Sequence, residues 1–60
     1  MQALEIQEQA RLLFAARGDK AIVEAAQKAL QLKAEGREED ARDWRRIEAA
    51  LVLMAGPRET

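Results

Sequence analysis

Sixty residues with ten basic and eleven acidic side chains make at most one domain, with a formal net charge of -1. At this length folding buries only about 60% of the surface the unfolded chain exposes, so one core is marginal. With no Cys a disulfide staple is excluded, and with no His the best transition-metal ligands are gone, so association is the remaining means of adding stability.

The composition is rich in Ala, Glu, Arg, Leu and Gln and poor in aromatic and β-branched residues, which predicts helices throughout. A first helix is expected over residues 2 to 17, where Ala3, Ile6, Ala10, Leu13 and Phe14 share one face while Gln2, Glu5 and Gln9 group on another. Leu4 and Leu12 fall off that stripe. Arg17 followed by Gly18 is a stop signal, and Asp19 stands where its carboxylate can cap the next helix.

The second helix is expected over residues 20 to 35. Ala21, Ile22, Ala25, Ala26, Ala29, Leu30 and Leu32 cover an apolar arc of roughly 200°, opposite Lys20, Glu24, Gln27, Lys28 and Gln31. An arc that wide suits two neighbours, which makes this the expected central element, and Glu24 to Lys28 is a favourably oriented i, i+4 pair. Gly36 ends it.

A third helix, residues 38 to 55, carries Ala41, Trp44, Ile47, Leu51 and Met54 on one side, with Glu38, Glu39, Arg42, Arg45 and Arg46 over most of the other. The acidic start Glu38, Glu39, Asp40 suits the positive end of a helix dipole, and Glu38–Arg42 and Asp43–Arg46 are expected pairs. Gly56-Pro57 stops the helix, and residues 58 to 60 read as a frayed tail. The fold class is therefore all-α: three short helices in an antiparallel hairpin or three-helix bundle, one domain over residues 1 to 57, completed by oligomerisation.

Gly36 followed five residues on by Ala41 resembles the second half of a tetratricopeptide repeat. Trp44 and Ile47 then sit one residue early, and Lys28 falls where that repeat wants an apolar residue, so the pattern breaks. A helix-turn-helix fits no better, because Asp19 or Arg37 follows the turn glycine where a buried apolar residue is required.

The catalytic inventory is short. There is no His, Cys, Tyr or Ser, and Thr60 is the only hydroxyl side chain, so nucleophile-and-base arrangements are missing and no enzyme or cofactor is expected. Glu38, Glu39, Asp40 and Asp43 are interleaved with Arg37, Arg42, Arg45 and Arg46, a solvated helix face and not a metal site. Charge signs alternate along the chain, which argues against nucleic acid and anionic lipid as partners. The N-terminus lacks the pattern of a secretory leader, and no stretch approaches the roughly 18 apolar residues of a membrane span; the expected location is the cytoplasm.

Leu4, Leu12, Val23 and Leu53 lie off their helices' main stripes, and a three-helix monomer leaves several of them in water. With Trp44, a core anchor that also suits an interface, they are the candidate interface residues. The expected function is a small non-catalytic interaction or assembly module whose partner is itself or another helical protein. The alternative is a small nucleic-acid-binding regulator, an antitoxin-like dimer, motivated by size and by Arg42, Arg45 and Arg46. Stability coupled to association, with an unfolding midpoint that rises with protein concentration, is the corollary of the first reading.

Gly18-Asp-Lys-Ala21, Glu24-Ala-Ala-Gln-Lys28, Gly36, Asp43-Trp-Arg-Arg-Ile47 and Gly56-Pro-Arg58 together resemble a group of short uncharacterised bacterial helical proteins. That resemblance covers residues 18 to 58, implies a bacterial origin, and implies no activity.

Overall fold

The computed structural model describes residues 2–56. Three α-helices follow one another: α1, Ala3–Arg17; α2, Lys20–Ala34; and α3, Glu38–Ala55. These bounds match the expected ones to within one residue at each end; Pro57 and the expected tail lie outside the described residues. Backbone polar groups are satisfied within each helix, so the problems to solve lie at the ends.

At the start of α1, the Glu5 carboxylate reaches back to accept from the Gln2 backbone N–H at 2.9 Å. Between α1 and α2 the single break is Gly18, at φ 60, ψ -136, whose N–H donates to the Phe14 carbonyl at 2.8 Å. Asp19 does not cap as its position suggests. Its backbone is already in the right-handed helical region (φ -61, ψ -26), it makes no side-chain cap bond, and the Ala21 N–H instead donates to the Gly18 carbonyl at 3.0 Å. An N-cap carboxylate reaches the first free amides from an extended backbone, which Asp19 lacks.

The α2–α3 turn closes differently. Gly36 takes φ 80, its N–H donates to Lys33 at 3.0 Å, and the Arg37 N–H donates to Leu32 at 2.9 Å. That pair of bonds is a Schellman motif, and its left-handed residue favours Gly. Arg37 then opens α3 without a side-chain cap but pairs with Asp40 at 2.8 Å in the acidic first turn.

Helix α3, not α2, is the central element. It packs extensively on α2 and substantially on α1, whereas α1 and α2 touch least. A wide apolar arc on α2 signals how much surface is apolar and not how many neighbours cover it. Ile6 and Ala10 of α1, Ala21 and Ala25 of α2, and Ile47, Ala50 and Leu51 of α3 form the main core cluster. Ala29, Leu32 and Ala41 are also buried but stand outside that cluster, towards the Gly36 turn. The first helix therefore covers the open half of the α2–α3 hairpin and leaves the turn half as a two-helix contact.

Six of the ten buried side chains are alanines, and Ile47 and Leu51 are the largest that are fully enclosed. Small residues let helix backbones approach to the low end of the usual range, about 8 Å between axes. Close approach gains dispersion contacts, but an alanine methyl removes far less apolar area from water than a leucine. Among the described residues the buried side chains are all apolar, and the core is thin.

Candidate functional site

Six large aliphatic side chains stay in water: Leu4 at 79%, Leu53 at 80%, Leu12 at 63%, Val23 and Leu30 at 57%, and Val52 at 49% exposure. Only four of comparable size, Ile6, Leu32, Ile47 and Leu51, are buried among the described residues. Leu13, Phe14, Ile22, Trp44 and Met54 pack half-buried against the core, so a large part of the aliphatic content of a 60-residue chain stays outside it.

Leu4, Leu12, Val23 and Leu53 are all exposed, in keeping with their positions off the stripe. Trp44 is half-buried and packs against the core cluster, as do Leu13, Phe14, Ile22 and Met54. Its ring is shared between core and surface. Leu30 and Val52 were not singled out by periodicity. Leu30 lies at the edge of the wide α2 arc, and that edge stays open because α2 packs chiefly on one helix. Its exposure depends on the number of neighbours, which no local pattern encodes.

The exposed aliphatics are divided equally among the helices, two on each. Val23, Ala26 and Leu30 recur at three- and four-residue spacing and line the outside of α2. Leu53 stands on the rim of an open cleft of about 310 Å³ between α1 and α3, lined also by Ala3, Ile6, Gln7, Arg46, Ala49 and Ala50. Because Ala3 and Gln7 border it, the N-terminal half of α1 runs beside the C-terminal half of α3.

Charges accompany these faces without concentrating. Arg42 and Arg46 share a shallow pocket with Glu39 and Asp43, so acids stand among the bases of this arginine cluster. Arg45 pairs with Glu48 at 3.7 Å. Glu24 does not take Lys28 as its partner but Arg17, at 3.3 Å, which ties the end of α1 to α2. Both side chains are about half exposed, so the pair contributes little, on the order of 0.5 kcal/mol. A second cleft, about 220 Å³, lies at the turn end of the hairpin between Ala29, Lys33, Glu38, Ala41, Arg42 and Arg45, with both charge signs among its lining residues.

Among the described residues no three Asp or Glu side chains converge closely enough to hold a metal ion, and no helix is long and apolar enough to cross a membrane. No family model, curated protein or solved structure matches the chain.

Proposed function

We propose that this chain is a small non-catalytic interaction module, whose outward apolar helix faces bind either a second copy or another helical protein. The observation that carries the reading is the exposure of six large aliphatic side chains, Leu4, Leu12, Val23, Leu30, Val52 and Leu53, on a chain that buries only four of that size among the described residues. Returning a leucine from water to an apolar contact is worth about 1.5 to 3 kcal/mol. Against a native stability of roughly 0.1 kcal/mol per residue, even two or three such contacts matter.

The competing reading, a nucleic-acid-binding regulator, needs concentrated positive charge. Arg42 and Arg46 share their pocket with Glu39 and Asp43, which offsets the field a phosphate backbone would meet.

The test is photocrosslinking in cells that express the protein, with a photoreactive residue placed at Leu12, Leu30 or Leu53 and, as controls, at exposed polar positions Gln9, Lys28 or Arg45. Adducts with itself or with a discrete protein, concentrated at the apolar positions, are the expected result. Equal yields at both sets, or none at either, would count against an apolar docking function.

A further inference from the structure

The outer side of α1 holds Leu4, Glu8, Arg11 and Ala15, spaced four, three and four residues apart. That spacing aligns them along one line of the helix, on the side away from buried Ile6 and Ala10. All four are exposed, Leu4 at 79%. Neither Glu8 nor Arg11 is engaged in an ion pair among the described residues. The line is self-complementary: turned end for end about a two-fold axis between residues 9 and 10, it brings position 4 opposite 15 and position 8 opposite 11. A large side chain then meets a small one, and an acid meets a base, twice each.

We propose that a second copy of this chain docks antiparallel on this face. Each Glu8 carboxylate accepts from the Arg11 guanidinium of the other copy, and each Leu4 lies over the other copy's Ala15. Charge complementarity selects a second copy here, whereas the Val23, Ala26 and Leu30 stripe of α2 offers no reciprocal acid and base. The inference rests on the interaction-module reading and specifies its partner.

A contact of essentially one helix per copy is smaller than a standard interface, so self-association on the order of 100 µM is expected. Sedimentation equilibrium of the full chain at low salt, with helicity followed by circular dichroism, provides the test. Glu8→Arg alone sets two arginines against two arginines, and Arg11→Glu alone sets acids against acids; each is expected to weaken association at least about tenfold while helicity is unchanged. An equimolar mixture of the two variants regains every opposite-charge contact and should form a heterodimer at least as tight as the wild-type dimer. Glu8→Arg with Arg11→Glu in one chain should restore wild-type association to within about threefold. Leu30→Gln, on α2, should associate like wild type. A dimer indifferent to the single reversals, or a mixture that stays monomeric, would overturn this face and leave the module reading standing. A monomer up to millimolar concentration would overturn the second copy as partner, and the crosslinking experiment then decides the reading itself.

Discussion

Helices α1 and α3 differ in how they convert sequence into burial. Helix α3 buries Ala41, Ile47, Ala50 and Leu51 and turns its charged residues outward, so nearly every large apolar residue before Val52 contributes to the core. Helix α1 buries only Ile6 and Ala10, leaves Leu4 and Leu12 in water, and holds Leu13 and Phe14 at the margin. The apolar residues of α1 are spread around its circumference, whereas the large ones of α3 as far as Leu51 are gathered on one side and only Val52 and Leu53 depart from it. Amphipathicity concentrated on one face yields an anchor, and the same apolar content spread around a helix yields an element with two weak contacts in place of one strong contact.

That contrast can be broken at its strong end. Leu51→Ala removes a fully enclosed side chain and should cost about 2 to 5 kcal/mol, enough to unfold most of a chain this size at 25 °C; urea titration followed by circular dichroism measures it. If the loss is under 1 kcal/mol, the two helices are not energetically distinct. The weak end gives a smaller and more local effect. Ile6→Ala should cost about 2 kcal/mol and appear first as lost hydrogen-exchange protection in α1, with the amides of α2 and α3 protected longer. Simultaneous loss across all three helices would show a single cooperative unit instead.

The smallest effect sharpens the comparison at the turns. A methyl group added at Gly36 would meet nothing within 4 Å, so Gly36→Ala isolates the backbone penalty of φ 80, about 1 kcal/mol. Thermal unfolding should show a modestly lower midpoint with an unchanged helix content. A neutral result would mean that the Schellman turn adjusts without strain.

Much of this architecture was legible locally. Gly18, Gly36 and Gly56 mark the helix ends because each has a positive φ in the folded chain, and of the α3 stripe Ala41, Ile47 and Leu51 are buried while Trp44 and Met54 pack half-buried on the core. The exposure of Leu4, Leu12, Val23 and Leu53 followed from the same periodicity. What local pattern did not reveal is tertiary: that α3 lies at the centre, that Leu30 faces water, and that Glu24 reaches across to Arg17. An arc width fixes how much of a helix is apolar, but the number of covering neighbours depends on how the turns aim the helices. The Asp19 expectation failed for a similar reason. Residue type suited a cap, but the tight Gly18 turn had already placed its backbone in the helical region.

The alanine seam has a consequence for how this sequence can change over generations. Ala10, Ala21 and Ala25 are each at 0% exposure, where one added methylene forces the helices apart at a cost of about 1 to 3 kcal/mol. The usual pattern, in which large aliphatics are held constant and small residues drift, is then reversed. Among descendants of this chain the alanines should be the fixed positions, with glycine the only replacement that fits the space. The outer leucines should vary freely wherever no partner reads them.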